Sequence, residues 1–158
     1  MVTIRAYQPS DIAAIKMLLA ELQDYEHALD RHTHAASQPL MDAYFDQIQR
    51  WIAEKNGAVY VAEGNDTIIG LVTVIIETSN DLLTTFTRYA YISDIVVGAA
   101  DRGRGIAQRL LSAAEQFARD QGCEHLMIEA LAENALALKA YRRFGFRERE
   151  ILMHKAFT

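Results

Sequence analysis

The chain has 158 residues, 51% of them apolar, with 16 Lys and Arg against 21 Asp and Glu for a formal net charge of -5. That length fits a single domain spanning 1–158, and that apolar share is enough for a sizeable core rather than a disordered chain. An acidic chain has no broad attraction to DNA, RNA or anionic lipid, so nucleic acid and membrane are not expected as partners, whereas an amine-bearing ligand is electrostatically welcome.

The chain opens Met1-Val2-Thr3-Ile4-Arg5 with no long apolar run, which argues against a signal peptide. No stretch approaches the ~18 apolar residues of a membrane span, so a soluble cytoplasmic protein is expected. Val2 to Tyr7 alternates as a short strand, and Pro9-Ser10-Asp11 reads as a helix start. Ile12, Ile15, Leu18, Leu19 and Leu22 follow at helical spacing. Asp24 to Gln38 is polar and His- and Asp-rich, the frayed end of that helix plus a loop. Pro39 to Lys55 is a second helix with Met41, Phe45, Ile48 and Ile52 on one side, ended by Asn56-Gly57.

Ala58 to Glu63 and Thr67 to Glu77 are strands joined at Gly64-Asn65-Asp66, and Gly70 hints at a bulge or a close backbone approach. Thr78 to Thr87 is a polar-aromatic connection, and Tyr89 to Val97 is the next strand. A third helix runs from about Gly105 to Gln121. Cys123, the one cysteine, follows Gly122 as a small core residue, allows no intramolecular disulfide and suits a reducing compartment. Glu124 to Leu131 is a strand, Glu133 or Asn134 opens a fourth helix ending near Phe144-Gly145, and Phe146 to Phe157 supplies one or two closing strands. The order β-α-α-β-β-β-α-β-α-β predicts an α/β (α+β) domain with a mixed sheet, in which Tyr89–Val97 and the strand after the third helix run parallel.

The most informative segment is Arg102-Gly103-Arg104-Gly105-Ile106-Ala107. A strand, a glycine-rich turn with two arginines and a helix start form a cradle for a nucleotide-like pyrophosphate. The glycines let backbone N–H groups approach an anion, and the arginines and helix N-terminus supply positive potential. The plain alternative is an ordinary helix N-terminus with a surface loop.

Two signatures resemble the GCN5-related N-acetyltransferase (GNAT) superfamily. One reads Arg102-x-x-Gly105-x-Ala107. The other reads Asn134-Ala135, Ala137, Ala140-Tyr141 and Phe144-Gly145-Phe146. The resemblance implies a mixed, mostly antiparallel sheet of six to seven strands with a splayed parallel pair, flanked by about four helices. It implies acetyl-CoA as co-substrate and no metal. Residues 102 to 107 and Asn134, with Ala137 beside it, would meet the donor's diphosphate and arm. Backbone groups of Ile95, Val96 and Val97 would hold the pantetheine arm, with an N–H near Val96 polarising the thioester carbonyl. Tyr141 takes the place of the general acid that protonates the leaving thiolate, or packs as a helix aromatic.

The resemblance leaves the general base open. Relatives that acetylate polyamines show Glu-Asp where this chain has Ser93-Asp94. Strand alternation puts Tyr91, Ser93 and Ile95 on one face and Asp94 on the other. Glu129, on the predicted strand facing the cleft, shares its spacing to Tyr141 with ribosomal-protein N-terminal acetyltransferases. The candidates, in order, are Glu129, Asp94 and a water held by Ser93.

His27, His32 and His34 match no compact zinc pattern and read as loop histidines. Glu21, Asp24, Tyr25, Glu26, Asp30 and Asp42 form either an acidic rim for an amine or a solvated helix face. The expected activity is direct acetyl transfer, in a ternary complex, to a small-molecule amine. The alternatives are a protein N-terminus or lysine as acceptor, and a non-catalytic acyl-CoA-binding regulatory domain. A homodimer is expected from the family's habits.

Overall fold

The computed structural model describes residues 1–157. Its sheet has five strands in the order β1-β2-β3-β4-β5: β1 (Val2–Ala6), β2 (Ala58–Gly64), β3 (Thr67–Thr78), β4 (Arg88–Val97) and β5 (Leu126–Ile128). Neighbours pair antiparallel except β4 and β5, which run parallel. Helices α1 (Ile12–Leu29) and α2 (Gln38–Glu54) pack on one face, and α3 (Ile106–Asp120) and α4 (Ala135–Phe144) on the other. Among the described residues no helix is long and apolar enough to cross a membrane.

Helical spacing builds both layers. Ile15, Leu18 and Leu19 of α1 meet Met41, Phe45 and Ile48 of α2 over Val59, Val61 and Leu71 of the sheet. Ile106, Leu110, Leu111, Ala114 and Ala118 of α3 cover Ala62, Val72, Val74, Ala90 and Ile92. The β2–β3 hairpin turns through Asn65 and Asp66, both at positive φ (50° and 57°), as a two-residue turn requires. Gly70 marks a close approach: a Cβ there would lie 2.9 Å from the Val96 carbonyl oxygen.

Three expected element bounds need correction. The helix read as fraying at Asp24 runs to Leu29, because residues 24–29 include neither Gly nor Pro to stop it. The strand expected over Glu124–Leu131 spans only Leu126–Ile128. No strand forms in Phe146–Phe157, so the sheet has five strands rather than six or seven.

β4 itself breaks the expected alternation. Thr73 pairs with Asp94 but Val74 pairs with Ile92, so Ser93 is an inserted, bulged residue. Ala90 and Ile92 therefore face α3, whereas Val96 belongs to the α1/α2 core and Asp94 bonds to α2. Ile95 packs toward α3 instead of sharing a face with Tyr91. Pairing with β5 stops at Ile92 and Ile128, immediately before the bulge. The bulge bends β4 away and leaves Ser93–Val97 with a strand on one edge only.

Candidate active site

The splay opens a cleft of about 410 Å³ between the free half of β4, the residues after β5, α4, the start of α3 and the last turns of α1. Its two ends differ in chemistry.

The glycine end is built from backbone. Gly103 and Gly105 both take φ of 76°, and nothing lies within 4 Å of a Cβ placed on either. Gly105 is the N-cap of α3, so the free N–H groups of that helix face the cleft mouth. Ala107 lines the cleft, while the buried Ile106 side chain anchors the helix in the core. Ile95, Val96 and Val97 line the wall. An extended strand with a free edge, leading to a bare helix N-terminus, fits a long amide-bearing arm that ends in a diphosphate.

The two arginines are held by partners within the protein. Arg102 lines the cleft, but its Nε donates to the Val97 carbonyl at 3.0 Å and its Nη2 to Glu21 at 2.8 Å. Glu21 also accepts from the Ala99 N–H at 2.9 Å, so it straps the glycine loop to α1. Arg104 pairs with Asp101 and does not line the cleft. Across the cleft, the buried Asn134 accepts from the Ala137 N–H at 3.1 Å and caps α4, and both residues line the wall.

The carboxylate end is built from side chains. Asp94 is 6% exposed and accepts from the Tyr44 hydroxyl and the Ser93 hydroxyl, each at 2.8 Å. Burial pushes its carboxyl up, and the neighbouring hydroxyls of Ser93, Tyr44 and Thr73 pull it part of the way back. Thr73, its partner across β3, is fully buried, and its hydroxyl has no hydrogen-bond partner among the described residues. Glu26 of α1 also lines the cleft, raised by burial and by the charge of Asp94. Glu129 lies just past β5, exposed at the cleft. None of these three carboxylates is in an ion pair among the described residues, so this end is electronegative.

Tyr141 lines the cleft from α4, and burial together with the Glu26 charge pushes its hydroxyl up to about 12. It keeps its proton at neutral pH, as an ordinary tyrosine does. Tyr91 is likewise pushed up to about 12, by burial and by the charges of Glu129 and Asp94.

The structure divides the acidic stretch of the sequence. Lys16 pairs with Asp42, Asp24 accepts from the Ala36 N–H and Asp30 caps the turn at His32, leaving Tyr25 and Glu26 on the cleft. His27 is tied to the Thr33 carbonyl and His32 to Asp30. Sequence reasoning missed Tyr44 and did not separate Glu26 from its neighbours. The available signal was position: Glu26 follows Leu22 by one turn, and Tyr44 lies between Met41 and Phe45, each continuing an apolar stripe with a polar group.

The acetyltransferase (GNAT) family matches residues 20–146. Streptothricin acetyltransferase of Streptomyces lavendulae is 37% identical over 94 residues, which cover 59% of this chain and 46% of that protein. Aminoglycoside N(6')-acetyltransferase type 1 of Stenotrophomonas maltophilia is 26% identical over 153 residues, covering 96% of this chain and 90% of that one. The structure of AAC(6')-Iy in complex with the bisubstrate analog CoA-S-monomethyl-acetylneamine matches with a TM-score of 0.79 over 100% of this chain and 99% of the other, at 18% identity, a likeness of fold. The chain spans under half the length of the first curated relatives it matches, 46%, 42% and 34%.

Proposed function

The chain belongs to the acetyltransferase (GNAT) family, and we propose that it is an acetyl-CoA-dependent N-acetyltransferase whose acceptor is a small molecule with more than one amine. The observation that carries this reading is the carboxylate end of the cleft, where Glu26, Asp94 and Glu129 have no ion-pair partner among the described residues. Two relatives named for small multi-amine antibiotics, streptothricin and aminoglycosides, support it.

Acetyl-CoA supplies a thioester that an amine attacks directly in a ternary complex, with CoA thiolate as leaving group. The free edge of Ser93–Val97 and the N–H groups from Arg102 to Ala107 hold the donor in line with the carboxylates. Glu129, open to the cleft, takes the proton that the attacking nitrogen must lose. Asp94, already held by two hydroxyls, stays in place and with Glu26 binds a second ammonium group. Tyr141 gives its proton to the departing sulfur. The Glu129-to-Tyr141 spacing favours a second reading, in which the acceptor is a protein N-terminus.

Thiol release with an aminoglycoside, a linear polyamine, a monoamino sugar and a peptide N-terminus separates the two. We expect the multi-amine acceptors to turn over fastest, and Glu26→Gln to raise KM about 10-fold for them and little for the monoamine. Preferred turnover of the peptide overturns the small-molecule reading.

A further inference from the structure

Tyr44, Asp94 and Ser93 form a chain of hydrogen bonds that reaches from α2 to the cleft. The Tyr44 hydroxyl donates to Asp94 Oδ1 and the Ser93 hydroxyl to Asp94 Oδ2, each at 2.8 Å. Ser93 and Asp94 line the cleft, and Tyr44 stands behind them. The Tyr44 ring is set by Trp51, which it meets edge-on with the ring centres 6.1 Å apart. Burial and the Asp94 charge push its hydroxyl up, so it stays a donor at neutral pH. Thr73, opposite Asp94 in the ladder, adds a third hydroxyl, fully buried and with no partner among the described residues.

Ionised Asp94 only accepts, so both hydroxyls beside it must donate. A serine hydroxyl has one proton, and that of Ser93 is committed to Oδ2. Ser93 Oγ is left with lone pairs alone for a ligand in the cleft. Glu26, close enough for the Asp94 charge to raise it, presents acceptors to the same cleft, as does Asp94 itself. These three residues offer acceptors only. An ammonium group has three donors and no acceptor, which matches them. A hydroxyl in its place has one donor, and its own lone pairs face lone pairs. A bound ammonium in turn favours the ionised Asp94 that burial opposes.

We propose that Ser93 is a specificity-determining residue and Tyr44 the positioning residue behind it: held through Asp94, the Ser93 hydroxyl accepts an N–H from the acceptor's second ammonium group and rejects a hydroxyl at that place. This rests on the small-molecule reading above and adds to it the group that the subsite excludes. A buried polar group left facing its own kind weakens binding roughly 10- to 100-fold.

Steady-state kinetics with straight-chain diamines, from propane- to hexanediamine, against amino alcohols of the same lengths test it. Each pair shares the attacking amine and differs only in the far group. For wild type, kcat/KM for the best diamine should exceed that of its amino alcohol about 30-fold or more. Tyr44→Phe keeps every charge but frees Asp94 and Ser93 to turn. It should cut that ratio about 10-fold, raising KM for the diamine and lowering it for the amino alcohol. Ser93→Ala should cut the ratio likewise, and Ser93→Thr, which keeps the hydroxyl, should restore it. A wild-type ratio near one overturns the proposal whether or not any variant folds. So do variants that leave the ratio at its wild-type value, and so does a Tyr44→Phe enzyme in which both KM values move together, the mark of a merely structural loss. In those cases diamine turnover by wild type leaves the small-molecule reading standing. Turnover of a peptide N-terminus with none of any diamine overturns both.

Discussion

β4 is two strands in one. From Arg88 to Ile92 it has β3 on one edge, with β5 joining on the other from Ala90, and its buried residues face α3. From Ser93 to Val97 it has β3 alone, and its buried residues face α1 and α2. The first half is structural, with its backbone groups spent on its neighbours. The second exposes an edge to the cleft and presents Asp94 at one end of it. One inserted residue, Ser93, separates the two. The difference teaches that a cleft can be opened in a sheet without shortening a strand, by changing which face and which edge are available midway along it.

Deleting Ser93 attacks that division most directly. With Ser93 gone, Asp94 follows Ile92 directly, and regular alternation keeps Asp94 opposite Thr73 on the α1/α2 side, so the strand loses its bulge but neither of its faces. A straight β4 no longer bends away from β5, and the cleft narrows at the open edge. We expect the deletion variant to melt cooperatively but to lose acetyl-CoA binding in calorimetry. Retained binding would mean the strand has another way to open.

Periodicity made most of this fold legible, because β1 to β4 and the four helices each carry a local pattern that tertiary packing merely uses. The glycine loop and Tyr141 stand out for a similar reason: neighbours in the chain mark each of them, and both line the cleft. The bulge was not. Ala90, Ile92, Asp94 and Val96 alternate without a break, and only the register with β3 shows that they serve two faces. The pair Tyr44–Asp94 spans 50 residues of sequence, and no local pattern couples a helix tyrosine to a strand carboxylate at that distance. The closing strands failed for another reason. Residues 146–157 have strand-like composition, but strand formation needs a paired edge, and in this structure they pair with none.

A smaller effect sharpens the comparison at the glycine end, where the open half of β4 hands the cleft to α3. Gly105→Val puts a β-branched side chain at φ of 76°, in the space a diphosphate needs. Left-handed backbone costs an L-residue roughly 1–2 kcal/mol, and no neighbour lies within 4 Å of the new Cβ, so the fold should survive. Calorimetry should show acetyl-CoA binding weakened about 100-fold or more, while Tm falls by about 5 °C at most. Retained binding would remove the loop from the donor site and leave the open edge of β4 without its purpose.

The smallest effect is also the one most particular to the open half. Burial raises the carboxyl of Asp94 in the folded state, so its protonated form is the one the fold prefers. Whatever stability that form contributes is complete below the ordinary carboxylate range and is lost as pH rises through the raised value. At neutral pH, then, burial works against the charged form of Asp94, and Asp94→Asn should raise Tm while lowering turnover. The gain should vanish on acidification below about pH 4, where wild-type Asp94 carries its proton too. Asp11 runs the other way. The Arg5 guanidinium, 2.7 Å from its carboxylate, holds it below the usual range, so its contribution is present at neutral pH and lost as pH falls. Asp11→Asn should therefore lower Tm at the pH where Asp94→Asn raises it. If both substitutions lower Tm alike, Asp94 is a structural carboxylate like Asp11, and the second half of β4 gives up no stability for its place in the cleft.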